Sequence, residues 1–212
     1  TPHGGGGPGA GPVAVNEKLS DFLPGPMIEC EKGRYFFDFK NDKSIGRVHS
    51  FFGNYGIIVR AYVYLISLGK YGLKDIAKNA VLNANYLKCL LSKKYDIPFS
   101  DGSLHEFVIS ALKQKKKGYK ALVIAKNLLD YGYHSPTVYF PINIDEAIMI
   151  EPTETETKET LEAFAEAMIS INEKINLDDQ KLNEAPIYTP VRKLDETKAN
   201  RELDVRYIDD KS

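Results

Sequence analysis

Apolar positions recur at helical spacing through the middle and end of this chain and gather into short runs elsewhere. Residues 54–68 are apolar almost all round (Ile57, Ile58, Val59, Ala61, Tyr62, Val63, Leu65, Ile66), the pattern of a helix buried on most sides. Gly69 ends that stretch. Gly72 opens a second one, where Ile76, Ala80, Leu82, Tyr86, Leu87, Leu90 and Leu91 trace a near-helical stripe. Further on, residues 119–131 carry Ala121, Ile124, Ala125 and Leu128 on one helical face. Residues 156–175 carry Leu161, Phe164, Ala165, Met168, Ile171 and Ile175 at core spacing, with Thr153 and Glu156 as a predicted capping box.

Short runs predict strands at residues 12–15, 105–112, 137–140 and 147–150. A hairpin is predicted from 28–31 and 34–39 around Lys32-Gly33, after a helical turn at 17–22 that stops at Leu23-Pro24-Gly25-Pro26. Residues 41–53 read as irregular. The order β-α-β-β-α in the second half predicts an α/β unit of the α+β kind, a small antiparallel sheet with helices packed on one face. The tail from Asn176, with Pro186 and Pro190, is expected to wrap a surface.

Composition changes this picture little. The 212 residues are 43% hydrophobic and carry a net charge of −1, which gives no global attraction to nucleic acid or to an anionic membrane. Residues 113–117 (KQKKK) are a local basic run, read as a solvated loop between a strand and a helix. No apolar run reaches the length of a membrane span. Cys30 and Cys89 lack metal-ligand spacing and any activating neighbour, so they read as partly buried, inert thiols in a reducing cytoplasm. No metal site is expected: His105, Glu106 and His134 do not have the spacing of a convergent ligand set.

The densest chemical signal is at the front, Thr1-Pro-His-Gly-Gly-Gly-Gly-Pro-Gly-Ala-Gly. Glycines let backbone approach a ligand closely and aim several N–H groups at one anion. Gly4, Gly6 and Gly9 fit G-x-G-x-x-G, but a dinucleotide fold needs a strand before and a helix after, and Pro8 and Pro12 break any helix. A phosphate-binding Walker loop needs a Gly-Lys-Ser/Thr ending, which is absent. His3-Gly4-Gly5-Gly6 also fits a hydrolase oxyanion loop, yet the chain has no G-x-S-x-G elbow to serve it. The segment starts without Met, so the chain is expected to be a piece of something longer; such a start could conceal a signal peptide.

The glycine run has company. His3 to Val15, followed by Asp21-Phe22-Leu23-Pro24, resembles the glycine decarboxylase P-protein family, the pyridoxal-phosphate component of the glycine cleavage system. Gly46-Arg47-Val48, Phe52-Gly53-Asn54-Tyr55-Gly56 and Arg60-Ala61-Tyr62 are similar to the second subunit of the family's split form. The resemblance runs on through Gly72-Leu73-Lys74, Val81-Leu82-Asn83-Ala84-Asn85-Tyr86, His105-Glu106-Phe107 and Tyr131-Gly132-Tyr133-His134-Ser135-Pro136-Thr137. It ends through Ile150-Glu151-Pro152-Thr153-Glu154, Ala167-Met168-Ile169 and residues 189–196, and so covers nearly the whole chain.

The resemblance implies the C-terminal portion of a fold-type-I pyridoxal-phosphate enzyme that decarboxylates glycine and hands the aminomethyl group to lipoylated H-protein. It implies a first glycine dehydrogenase subunit as partner in a hetero-oligomer. In the family, the lysine that forms a Schiff base with the cofactor lies just before the glycine run; no lysine here matches it, Lys18 included. The chain alone is therefore expected to hold no catalytic anchor, to bind the cofactor non-covalently at most, and to be inactive. An alternative is a module whose main work is subunit assembly.

On the same basis His3, Gly4, Gly5, Gly6, Gly7 and Gly9, with Arg47, His49 and Asn54, are expected to line the cofactor and substrate pocket. His3 either pins the loop through a backbone hydrogen bond or acts as an acid–base group. Arg47 suits a carboxylate or phosphate. An outer pocket is expected from His105, Glu106, His134, Thr137, Glu151 and Thr153, with Glu151 and Thr153 also readable as strand end and helix cap. Residues 1–45 would close the large cofactor domain, 46–95 would be connecting helices, 96–175 the small domain and 176–212 an extended tail.

Overall fold

The computed structural model describes residues 9–50 and 52–206, and the chain divides into two compact units, Thr1–Leu73 and Lys74–Ser212. In the first, a 3-10 helix over Glu17–Phe22 precedes the antiparallel strands β1 (Met27–Glu31) and β2 (Arg34–Asp38). Glu31 pairs with Arg34, leaving a two-residue turn in which Lys32 (φ 51°) and Gly33 (φ 80°) are both left-handed. That handedness matches the right-handed twist of the strands, which is why the predicted hairpin forms where it does. Residues 12–15 do not form the predicted strand: they lie exposed and irregular, Val13 at 74%. A strand needs a hydrogen-bonded neighbour, and among the described residues of this unit the sheet consists of β1 and β2 alone.

Helix α1 (Tyr55–Leu91) contributes turns to both units. Its backbone leaves helical geometry at Gly69 (φ 62°, ψ −175°), a conformation that a Cβ would strain, so the predicted break is present as a kink inside one long helix. The expected burial of residues 54–68 is absent. Ile57 is the one buried residue among those described in the first unit, while Tyr62, Val63 and Ile66 are about 60% exposed or more. A helix apolar on every side must be covered on every side, and the elements of this unit are too few to do it.

The second unit has a core of its own. Strands β3 (Phe107–Ser110), β4 (Thr137–Val138) and β5 (Ala147–Ile150) make an antiparallel sheet in the order β3-β5-β4. Phe107 opposes Ile150 and Ile109 opposes Ile148, so each pair turns the same face inward. Against that face lie Ile124 and Leu128 of α3 (Ala121–Asp130), and Leu161, Met168, Ile171 and Ile175 of α4 (Lys158–Asn176). Leu87 and Leu91 of α1 complete the cluster. Tyr95 is buried beside them and its hydroxyl donates to the Met168 carbonyl at 2.8 Å, with burial pushing the phenol far up.

Three local expectations change. The 105–112 strand ends at Ser110, and Leu112–Lys115 form a short helix, α2, so the basic run is not a simple loop. The N-cap of α4 is Thr157, whose Oγ1 accepts from the Thr160 amide at 3.2 Å; Thr153 and Glu156 instead form a turn before the helix. Cys30 and Cys89 are exposed rather than partly buried, because the hairpin face that holds Cys30 and the α1 flank that holds Cys89 are uncovered. The tail does wrap the second unit. The Asp130 carboxylate accepts from the Ile187 and Tyr188 amides at 2.8–2.9 Å, and Asn127 donates to the Leu182 carbonyl. A further short helix, α5 (Glu196–Arg201), is tied to α3 by Lys126–Glu196 at 2.8 Å.

Candidate functional site

The predicted site residues fall into two groups, one in each unit. In the first unit His3, Gly4, Gly5, Gly6 and Gly7 lie outside the described residues. Gly9 is described: its carbonyl accepts from the Asn54 side-chain amide at 3.5 Å, so the end of the glycine run and the start of α1 are joined. Arg47 donates through Nε to the His49 carbonyl at 3.2 Å and sets its guanidinium 5.8 Å from the centre of the Phe52 ring. His49 Nδ1 lies 3.3 Å from the Ser50 carbonyl. Phe52 in turn stacks on Phe37 of β2 at 4.7 Å, so the hairpin supports the loop that carries Arg47 and His49.

A phosphate-bearing cofactor needs cationic and N–H donors beside backbone that lets it come close. Arg47 and the Asn54 amide are such donors. Among the described residues, a Cβ placed at Gly9 would meet nothing within 4 Å. These groups fit one wall of such a site. They do not include an amine for covalent attachment.

In the second unit the sheet register gathers the other group. Phe107 pairs with Ile150, and Thr137 pairs with Met149, so His105, Glu106, Thr137 and Glu151 share one end of the sheet. His105 Nε2 lies 3.8 Å from Glu151 Oε1 and 3.9 Å from Glu106 Oε2. All three side chains are about half exposed, which makes this an open, acid-flanked imidazole. His134 is exposed in the loop entering β4. Thr153 shares a hydroxyl–hydroxyl hydrogen bond with Thr155 at 2.7 Å.

Two supports of these loops are not evident from the sequence motifs. Asn83 of α1 donates to the carbonyls of Thr153 (2.9 Å) and Glu156 (3.1 Å), holding the loop after β5. Asn85 donates to the Ser103 carbonyl at 3.1 Å, and so fixes the loop leading to His105. Asparagine is disfavoured inside helices because its side chain competes for backbone groups. Two of them, two residues apart in an apolar helix, were the available signal that the helix clamps loops at that point. Tyr86, one residue on, donates to Glu162 at 2.6 Å, and this carboxylate pushes the phenol up.

Among the described residues no cluster of His, Cys, Asp and Glu is arranged to hold a metal, and no helix is long and apolar enough to cross a membrane.

Comparison with known proteins bears on both groups. The family model described as "Glycine dehydrogenase, C-terminal domain" matches residues 76–187. A protein of Bacillus licheniformis named probable glycine dehydrogenase (decarboxylating) subunit 2 is 53% identical over 206 residues, covering 97% of this chain and 42% of that protein. Proteins of the same name from Caldanaerobacter subterraneus subsp. tengcongensis and Chlorobium phaeobacteroides are 51% and 50% identical over 98% and 96% of the chain, and 43% of each of those proteins. The chain thus spans less than half the length of these relatives. A crystal structure of glycine decarboxylase (P-protein) of the glycine cleavage system, in inhibitor-bound form, superposes with a TM-score of 0.60 at 20% identity, over 73% of this chain and 37% of that one, and shares its fold. With the family model matching more than half of its length, including the sheet, α3, α4 and the loops that carry the outer group, this chain belongs to the glycine dehydrogenase C-terminal domain family.

Proposed function

We propose that this chain is the C-terminal part of a glycine dehydrogenase (decarboxylating) subunit 2 and that it contributes residues to that enzyme's active site. One observation carries the reading: 50–53% identity to proteins of that name across nearly the whole chain. In the intact enzyme, glycine loses CO2 and its aminomethyl group passes to the lipoyl arm of H-protein, with a first subunit completing a hetero-oligomer in the cytoplasm. Pyridoxal phosphate, when bound, supplies the electron sink for that loss.

The chain's own groups then have separate tasks. Residues 1–45 are the last part of the large cofactor domain, 46–95 the connecting helices, 96–175 the small domain and 176–212 its tail. The glycine run from Gly4 to Gly9 leaves room for a thin arm and offers backbone N–H donors. Arg47 binds an anionic group, Asn54 holds Gly9 at the end of the run, and His49 stands beside Arg47. His3 pins the loop or moves a proton. His105, held between Glu106 and Glu151, lines the outer approach with His134, Thr137 and Thr153. The uncovered apolar faces of α1 and the hairpin favour a share in assembly as well, because patches of this kind mark interaction surfaces.

In the full-length protein with its first subunit, replacing Gly5 and Gly6 by Ala should slow reaction with lipoylated H-protein while leaving the fold intact; unchanged kinetics overturn the assignment. The 212-residue chain mixed with pyridoxal phosphate and glycine should retain no cofactor after borohydride treatment, read by mass spectrometry. Site-specific retention would place the anchor within this chain and refute the reading.

A further inference from the structure

One cluster in the second unit contains none of the predicted site residues. Tyr131, at the C-terminal end of α3, brings its hydroxyl oxygen 3.0 Å from Ser170 Oγ and 3.1 Å from Lys174 Nζ. Ser170 and Lys174 are four residues apart on α4, so a single face of that helix presents both groups to the phenol. The Lys174 ammonium also lies 5.4 Å from the centre of the ring. Among the described residues no carboxylate lies within 4.0 Å of Lys174; its ammonium donates to the phenol oxygen instead. The neighbouring carboxylates are engaged elsewhere, Asp130 with the Ile187 and Tyr188 amides and Glu173 with Lys94 at 3.8 Å.

Two other tyrosines of this unit are wired in the opposite sense. Tyr86 donates to Glu162 at 2.6 Å, and that bond pushes its phenol up. Tyr119 donates to Asp178 at 2.9 Å and is pushed up by burial and by that carboxylate. Tyr131 faces donors. Its partial burial works against ionisation, but the hydrogen bonds from Ser170 and Lys174 and the Lys174 charge outweigh burial and hold the phenol below its ordinary value. The residue is at the surface, 38% exposed, and both of its hydrogen bonds are exposed ones. A surface phenol whose anion is stabilised by two donors is an activated oxygen nucleophile.

We propose that Tyr131 is a covalent modification site for acyl donors with a good leaving group. The phenol oxygen bonds to the acyl carbon, and the bond from that carbon to the leaving group breaks. The leaving group takes its electron pair and the phenolic proton, and the product is an aryl ester. Ser170 and Lys174 stabilise the developing phenolate and are unchanged at the end. An oxygen anion is a hard nucleophile and attacks carbonyl carbon, whereas alkylating agents prefer thiols such as the exposed Cys30 and Cys89. Tyr131 precedes His134 by three residues, so the ester places a covalent mark at the start of the loop that enters β4.

The test is brief treatment of the 212-residue chain with N-acetylimidazole at neutral pH, with acetylation rates read residue by residue by mass spectrometry. Reversal by hydroxylamine tells aryl esters from lysine amides. Tyr71 and Tyr188 are 80% and 84% exposed, so exposure alone ranks them ahead of Tyr131. Tyr131 should instead react about threefold faster than either, because a larger phenolate fraction outweighs the lower nucleophilicity of a weaker base. Lys174→Met should drop Tyr131 below Tyr188 while leaving the Tyr188 rate as it was. Lys174→Arg should keep most of the advantage, and Ser170→Ala should remove part of it. A Tyr131 rate at or below that of Tyr188 in the unaltered chain, or one that Lys174→Met leaves unchanged, overturns the proposal.

Discussion

The two units treat the same kind of residue in opposite ways. In Lys74–Ser212, isoleucines and leucines at helical and strand spacing close on one another, and Ile124, Leu128, Ile148, Met168 and Ile171 are wholly buried. In Thr1–Leu73, an equally apolar run from Ile58 to Ile66 stays largely uncovered, with Tyr62, Val63 and Ile66 at 64%, 60% and 61% exposed, and the hairpin aromatics Tyr35, Phe36 and Phe37 are 75%, 42% and 44% exposed. Apolar sequence alone therefore does not make a core. A core needs enough elements to surround it, and the second unit has a sheet and several helices where the first has a hairpin and part of one helix. Exposed apolar surface of this extent is characteristic of interaction surfaces, and the relatives are more than twice as long as this chain.

The largest test of that contrast is separation. Residues 74–206 expressed alone should unfold in one sigmoidal urea transition, whereas residues 9–73 alone should show no cooperative transition by circular dichroism. A cooperative melt for 9–73 would mean that its hairpin and helix suffice as a core.

Next in size are paired truncations. In the second unit Leu128→Ala should lose about 2–5 kcal/mol of stability in urea titration, because it opens a cavity in a closed core. In the first, Ile66→Ala should change stability by no more than about 0.5 kcal/mol, since the side chain is already 61% exposed. Equal losses would erase the distinction.

The smallest effect sharpens the comparison through pH. Glu146 is buried, and its Oε2 accepts from the Ala121 amide at 2.8 Å while Lys115 lies 2.9 Å from Oε1. Burial alone would push its carboxyl up, but the amide and the ammonium outweigh this and hold it below the usual carboxylate range. A depressed folded-state pKa means the contribution is present near neutral pH and lost as pH falls through that pKa. Glu146→Gln should thus destabilise residues 74–206 by about 1–3 kcal/mol at neutral pH, the range for a charge-assisted hydrogen bond. The gap between the two proteins should shrink in acid; a gap that stays constant with pH would show that the carboxylate charge is not what stabilises this corner.

Much of the second unit was legible in the sequence because periodicity reports local geometry. The stripes of α3 and α4 and the short runs of β3 and β5 name their own inward faces, and Lys32-Gly33 names its own turn. The cap of α4 was misplaced because Thr-x-x-Glu at 153–156 and Thr-x-x-Thr at 157–160 are both plausible locally, and only the helix axis chooses between them. The basic run at 113–117 looked solvated, yet it includes Gln114, which no composition argument would send inside. Of the candidate site, the second-unit residues could be named from the resemblance but not assembled, since His105 and Glu151 are far apart in sequence and meet only through the β3–β5 register.

The sequence by itself determined the long helices, the strands β3 and β5, the hairpin and its turn, the break at Gly69 and the family to which the chain belongs. These follow from local spacing, backbone conformations that favour glycine, and runs of matching residues, none of which requires a partner in space. Tertiary structure alone decided which apolar runs are covered, that Glu146 caps α3 from a distant strand end, and that Asn83 and Asn85 clamp the loops of the outer group. It also decided that Gln114, inside the basic run, is buried. Burial and hydrogen-bond partnership are relations between residues distant along the chain, so they exist only once the chain has closed on itself.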